Sequence, residues 1–364
     1  MVILHVLKSN AISGMENVAI SIIRAMPDNI RSVYLTATGS IETTLLNYDI
    51  EYIGVNKVDE KSIKSTIDEV KPDIIHAYEY ECSLMCAKVT DDIPIISHIY
   101  SSPKWVQKIG PKSVSYGGAC KNFTRIIIPD RVMIETAWFK DKMAGKECIM
   151  GMPFDAPAVF EKGYLAGTEM TKDKLEKYHS DLLFVGKLTD DKNPLEFIKI
   201  VGEIKKKKND IRAIMVGGGD LGKECIARIN KFGLGDNVSM VGFQYNPYVY
   251  MNQTRLLLVP SKFEGFCMVA AEAMTFGKPV LASYTGGLVV NVDEECGKLC
   301  GNPKQVVDRQ DFISTTLMLL DDEEEYHKRS EGARKRAKTL NTHDDYMKDM
   351  IAIYEDIYET TRQT

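Results

Sequence analysis

Short runs of β-branched and other apolar residues alternate with amphipathic stretches from one end of the chain to the other. Such alternation is the mark of βαβ units, so it predicts an α/β protein built on parallel sheets. In the first half the expected strands are Val2–Leu7, Val33–Ala37, Glu51–Val55, Asp73–Ala77, Ile95–Ile99, Arg125–Pro129 and Glu147–Met150. Helical periodicity falls between them, as in Glu16–Ala25, where Val18, Ile22 and Ala25 share a face. From Met152 to Ser180 the pattern dissolves into Pro153, Pro157, Gly163, Gly167 and charged residues, and this stretch reads as an inter-domain linker. The second half repeats the alternation, with strands at Leu182–Gly186, Arg212–Val216, Val238–Phe243, Leu256–Pro260 and Pro279–Ser283. The tail Thr342–Thr361 sets Tyr346, Met350, Ile353 and Ile357 at helical spacing, so a final amphipathic helix is expected.

A length of 364 residues fits two domains of ordinary size, and 44% hydrophobic with 27% charged residues is ordinary globular usage. The net charge of −5 excludes a basic nucleic-acid coat, and no nucleic-acid partner is expected. No window of eighteen uninterrupted apolar residues occurs, and Met1-Val2-Ile3-Leu4-His5 lacks the build of a signal peptide, so a cytoplasmic protein is expected. Eight scattered cysteines suit reduced thiols. Cys82/Cys86 and Cys296/Cys300 have C-x-x-x-C spacing, but neither pair has a histidine or a second pair nearby, and structural thiols are expected rather than zinc ligands. The acids of Asp321–Glu325 and the bases Arg334, Lys335, Arg336 and Lys338 complement the dipole of one helix.

In open parallel sheets ligands bind beyond the carboxyl ends of the strands. The unusual residues fall there: Ser9–Gly14, His76, His98, Lys187–Lys192, Gly217–Gly219, Ser261–Glu272 and Thr285–Gly287. Pro260-Ser261-Lys262-Phe263-Glu264-Gly265-Phe266 leaves a strand and is expected to enter a helix running to Phe276. Gly265 allows close backbone approach, and the free amides of a helix start suit a phosphate. Glu272 follows Glu264 by eight residues, a little over two helical turns, so the two carboxylates either grip hydroxyls of one sugar nucleotide or are helix-surface acids. Lys187 and Lys192 either neutralise a diphosphate or belong to a solvated turn with Asp190 and Asp191. Gly217, Gly219 and Gly222 spell G-x-G-x-x-G, yet the next strand ends on Gln244 rather than an acid, so the loop reads as close backbone packing near a nucleotide rather than an NAD site. His76 and His98 are each either hydrogen-bonded core histidines or functional ones.

The order Ser13-Gly14-Met15-Glu16, His98, Gly186-Lys187, Lys192, Gly217-Gly218-Gly219, Gly242-Phe243, Glu264-Gly265-Phe266, Glu272-Ala273-Met274 and Gly277-Lys278-Pro279-Val280 resembles the retaining glycosyltransferases of family 4. The resemblance implies the GT-B fold, two Rossmann-like domains facing across a cleft. Residues 1–165 would form the acceptor-side domain and 178–341 the nucleotide-sugar domain, with a helix over 342–364 packing back onto the first. It implies that Glu272 binds ribose hydroxyls and Glu264 the transferred sugar, that amides at Gly265 and Phe266 lie near the phosphates, and that Lys187 and Lys192 clamp the diphosphate. Gly14, Gly217 and Phe243 would also touch the donor, and His98 would bond the sugar. No metal and no cofactor is implied.

Three positions depart from the family pattern: Ser13-Gly14 for Gly-Gly, Lys187 for Arg, and Gly151-Met152-Pro153-Phe154-Asp155 for an Asn-Gly-Val-Asp turn. The expected activity is transfer, with retention, from a nucleoside diphosphate sugar, a UDP-sugar being favoured, to a saccharide acceptor that is lipid-linked in surface-polysaccharide synthesis. A GT-B-fold sugar-nucleotide epimerase and a non-catalytic nucleotide-sugar-binding subunit are the alternatives. Between Lys104 and Lys146 stand nine Lys/Arg against three acids, with Trp105 among them, so this face either meets an anionic membrane or is an ordinary solvated one.

Overall fold

The computed structural model describes the chain except for residues 13, 169, 172–174, 341 and 364. It divides into two compact units, Met1–Pro153 with His343–Thr364, and Phe154–Thr342.

The first unit is a parallel sheet of seven strands, β1 (Val2–Val6), β2 (Arg31–Ala37), β3 (Tyr52–Val55), β4 (Ile74–Tyr78), β5 (Ile95–His98), β6 (Arg125–Ile128) and β7 (Glu147–Ile149), in the order β3-β2-β1-β4-β5-β6-β7. The strands fall within two residues of their expected places because the central ones are buried apolar runs, which a parallel sheet covered on both faces requires, while the edge strands β3 and β7 are partly exposed. The C-terminal helix His343–Gln363 packs on β4 and buries Tyr346, Met350, Tyr354 and Ile357. Tyr354, not the expected Ile353, is the fully buried third position, its hydroxyl bonded to His76, while Ile353 beside it is half-buried.

The second unit is a six-stranded parallel sheet of β8 (Ser180–Val185), β9 (Ala213–Val216), β10 (Val238–Gly242), β11 (Thr254–Val259), β12 (Val280–Ala282) and β13 (Gly297–Leu299), in the order β10-β9-β8-β11-β12-β13. Strand β13 escapes the sequence pattern: its three residues offer only Leu299 as a large apolar side chain, and it forms by pairing with β12, Val280 opposite Gly297. The helix Glu323–Thr339 opens on Asp322, whose carboxylate accepts from the Glu325 amide at 3.0 Å, and Asp321 ends the preceding helix Arg309–Asp321 instead.

The expected linker and the boundary at 165 need correction. Ala156–Thr168 is a helix of the second unit, lying on the helices Tyr248–Gln253 and Met268–Thr275. Asp155 starts it by accepting from the Ala158 amide at 2.8 Å, and Pro157 sits in the first turn, where a missing N–H is harmless. Gly163, read as a breaker, is a contact: a Cβ there would lie 2.4 Å from Phe276 Cζ.

The eight cysteines are free thiols, and among the described residues no group of three or more His, Cys, Asp or Glu side chains could hold a metal ion. Among those residues no helix is long and apolar enough to cross a membrane.

Candidate functional site

Strands β8 and β11 are neighbours at the centre of the second sheet, and the strand order runs outward in opposite directions from them. At such a switch point the loops leaving the two carboxyl ends part and leave a crevice. The Lys187–Asn193 loop follows β8 and the Pro260–Cys267 loop follows β11. Three bonds tie them: the Lys262 amide donates to the Asp191 carbonyl at 2.8 Å, Asn193 Nδ2 donates to the Pro260 carbonyl at 3.0 Å, and the Lys262 ammonium meets Asp190 at 2.5 Å.

Lys192 and Glu264 meet on this frame. Lys192 Nζ donates to Glu264 Oε2 at 2.6 Å, and Ser261 Oγ donates to Glu264 Oε1 at 2.7 Å. Glu264 is 5% exposed, so its charge is held by these two donors. Burial works to depress the Lys192 ammonium, but Glu264, with Cys267 and Asp191, outweighs it and its pKa is raised. The pair stands in a cavity of about 200 Å³ walled also by Gly186, Ser261, Cys267 and Met268. Ser261 and Cys267 fall inside the Ser261–Glu272 stretch noted in the sequence, but nothing in a lone Ser or Cys gives either a role there.

The helix after β11 starts later than its sequence suggests. Cys267, at φ 63°, breaks the chain, and the helix is Met268–Thr275, so Glu264 lies outside it and the two carboxylates are not two turns apart on one helix. A different device orients the amides. The Gly265 carbonyl accepts from the Gly287 amide at 2.6 Å, and the Phe266 carbonyl accepts from Asn291 Nδ2 at 2.8 Å. A trans peptide sets its N–H opposite its C=O, so the amides of Phe266 and Cys267 point away from the 287–291 segment. Among the described residues neither amide meets an acceptor. Thr285–Gly287 thus works from behind the site.

Glu272, half-buried on the same helix, accepts from the Tyr248 hydroxyl at 3.3 Å. Burial pushes its carboxyl up to about 7, against the lowering effects of that bond and of Lys162. Tyr248 and Lys162 are further residues that sequence reading did not find. Phe243 is 78% exposed just past β10, with Tyr245 at 97%. Lys187 is exposed on the β8 loop, and among the described residues no ion pair engages it. Gly217 packs backbone on backbone: a Cβ there would lie 1.9 Å from the Gly186 carbonyl oxygen, and the Leu188 amide donates to the Gly218 carbonyl at 2.9 Å. The G-x-G-x-x-G run therefore seats the β9 loop on the β8 loop.

In the first unit Gly14 opens the helix Gly14–Ala25, while Ser13 lies outside the described residues. The expected sugar contact from His98 is corrected. His98 is fully buried; its Nδ1 lies 2.8 Å from His76 Nε2 and its Nε2 lies 3.0 Å from the Tyr346 hydroxyl, so neither ring nitrogen is left for a ligand. His76 Nδ1 meets Tyr354 at 2.5 Å, and His5 Nδ1 meets Tyr78 at 3.0 Å. Burial lowers all three imidazoles, His5 and His98 to about 3, so they are neutral. Register made this network, setting His5 opposite His76 on β1 and β4, and His98 opposite Tyr78 on β5 and β4.

Residues 168–336 match the family model of glycosyl transferases group 1. That stretch makes up most of the second unit. Relatives in sequence include the N-acetylgalactosamine-N,N'-diacetylbacillosaminyl-diphospho-undecaprenol 4-alpha-N-acetylgalactosaminyltransferase of Campylobacter jejuni, 27% identical over 162 residues, covering 44% of this chain and 42% of that protein. The 2-deoxystreptamine glucosyltransferase of Streptomyces kanamyceticus is 31% identical over 141 residues, covering 38% of this chain and 36% of that one. The chain is thus matched to less than half the length of these curated relatives. In fold the likeness takes in both units. The Anabaena protein Alr3699/HepE, solved with UDP and with UDP-glucose, superposes with a TM-score of 0.83 at 18% identity, over 98% of this chain and 100% of that one. WaaG, a glycosyltransferase involved in lipopolysaccharide biosynthesis, gives 0.71 at 16% identity over 96% and 98%. The architecture is GT-B.

Proposed function

We propose that the chain is a retaining glycosyltransferase that moves a sugar from a nucleoside diphosphate sugar, a UDP-sugar by preference, to a saccharide acceptor that is lipid-linked in surface-polysaccharide assembly. The Lys192–Glu264 pair, held at the switch point beside two outward amides, is the observation that carries this proposal. A diphosphate brings negative charge to that place. Lys192 and the exposed Lys187 neutralise it, and the Phe266 and Cys267 amides bond its oxygens, so charge that grows on the leaving diphosphate meets donors already in position. Glu264 accepts from a hydroxyl of the transferred sugar, Glu272 accepts from the ribose hydroxyls, and Phe243 offers a face to the base. As the C1–oxygen bond to the diphosphate breaks, the acceptor hydroxyl attacks C1 from the same side and its proton passes to the departing phosphate oxygen. Fixed cations and amides do here what a divalent ion would do, so no metal is invoked. His98 takes no part in contacting the sugar.

Support for UDP comes from the Anabaena neighbour solved with UDP-glucose, and support for a lipid-linked acceptor from the diphospho-undecaprenol named in the Campylobacter relative. The basic face of the first unit fits that acceptor: Ile109, Val114 and Trp138 are 71%, 50% and 44% exposed among Lys108, Lys112, Lys140 and Lys142. Apolar side chains set among lysines suit shallow insertion into an anionic bilayer. Incubation with UDP- and GDP-sugars and a lipid-linked saccharide, with NMR of the product anomer, tests the activity. An α-linked product from an α-linked donor is expected. A free epimer made without acceptor, or a donor bound and left intact, overturns the transferase.

A further inference from the structure

The run Gly277-Lys278-Pro279-Val280 has no part in the donor cavity. Lys278 precedes β12 and Arg255 is the second residue of β11, so both lie at the amino ends of parallel strands, whereas Glu264 follows the carboxyl end of β11 and Lys192 that of its neighbour β8. The six residues of β11 separate the two edges by roughly 20 Å.

Three cations converge at the amino edge. Arg334, from the helix Glu323–Thr339, lies across Gly277: a Cβ there would stand 2.5 Å from Arg334 Cζ. Its hydrogen bond goes to a neutral group, Ser330 Oγ at 3.2 Å. The Arg255 guanidinium sits 4.4 Å over the Tyr326 ring and donates from Nη2 to Glu323 at 2.7 Å, while its Nε is buried with no acceptor. Lys278 is half-buried, and among the described residues no carboxylate pairs with it. Burial, then Arg334 and Arg255, push its ammonium down to about 8. The backbone does not need that ammonium, because the Ala273 and Met274 carbonyls ending the helix accept from the amides of Phe276, Gly277 and Lys278. Glu323 is the one acid of the described residues bonded to this group, and it is shared with His327 at 3.5 Å. Asp181 and Asp210 line a hollow with Arg255 and Lys208, but among the described residues neither is paired with Arg255, Lys278 or Arg334, so the three cations, one of them carrying an orphaned buried donor, suit a multiply charged anion. Arg334 is exposed, so the place is open to a solute.

We propose that Arg255, Lys278 and Arg334 form a second anion site, for the phosphate group of inorganic phosphate, pyrophosphate or a small phosphate ester, separate from the donor cavity.

Thermal unfolding of the full chain with inorganic pyrophosphate or glucose 6-phosphate tests this, in a Lys192→Ala background that weakens the donor cavity. A rise of a few degrees in Tm is expected with either probe, beyond that given by potassium chloride at equal ionic strength. Adding Lys278→Met abolishes the rise, while the anion-free Tm of that variant equals or exceeds its parent's because like-charge repulsion has been relieved. The anion-free Tm also shows that the variant folds. A rise that survives Lys278→Met, one that potassium chloride reproduces, or one absent from Lys192→Ala overturns the proposal. Because Lys278→Met alters only the amino edge of the sheet, the part of the rise it removes is independent of the donor reading.

Discussion

Lys192 and Glu264 are 72 residues apart in the chain and 2.6 Å apart in space, on the two loops that part at the centre of the second sheet. Replacing Lys192 leaves Glu264 buried with Ser261 as its remaining side-chain donor. Lys192→Ala is expected to cost about 1–3 kcal/mol of stability, a buried pair discounted for the partial exposure of the lysine. Transfer is expected to fall by roughly 10²–10³ with far-UV circular dichroism unchanged. Adding Glu264→Gln restores much of the stability and none of the transfer. Denaturant unfolding and initial rates on the three proteins check both halves.

Glu272 should make donor binding depend on pH. Its carboxyl is raised to about 7, chiefly by burial. In the proposed role the ionised form accepts from the ribose hydroxyls, so donor affinity is expected to fall as pH drops from 8 to 6. Glu272→Gln should bind more weakly and with a flat profile. An unchanged profile in that variant assigns the pH dependence elsewhere.

The histidine network should make the first unit acid-sensitive. His5, His76 and His98 are neutral when folded, with depressed pKa values, and each takes a proton on unfolding below about 6.5. The unfolded chain then binds more protons, so stability present above pH 6.5 is lost as pH falls toward the folded values. The slope is about 1.4 kcal/mol per pH unit for each histidine. Urea unfolding at pH 7 and pH 5 should show the loss, and His5→Asn should reduce the slope by about a third. Equal stability at the two pH values contradicts neutral burial.

At Gly163 contact outweighs helix propensity. Alanine is the better helix former, yet its Cβ would stand 2.4 Å from Phe276 Cζ. Gly163→Ala is expected to lower stability by about 1–3 kcal/mol, and Phe276→Leu in the same chain to recover part of it. Additive losses in the double variant contradict a clash between the two.

The strands were legible because buried parallel strands are written as apolar runs, and Lys192 and Glu264 because charges just past strand ends stand out. Other features depend on partners that are remote in sequence. The helix Ala156–Thr168 is hidden by Pro157, which the first turn tolerates, and by Gly163, whose role appears only against Phe276. The late start at Met268 follows from the left-handed Cys267 and from carbonyls held by Gly287 and Asn291. His98 reads as a rim histidine until the C-terminal helix, 248 residues away, brings Tyr346 onto it.

The central claim is that the crevice holding Lys192 receives a diphosphate. Calorimetric titration of UDP into the wild-type chain and into folded Lys192→Ala, at low and high salt, tests it most directly. Kd should rise at least about tenfold in the variant, with a weaker salt dependence than wild type. An unchanged Kd and an unchanged salt dependence in Lys192→Ala would contradict it.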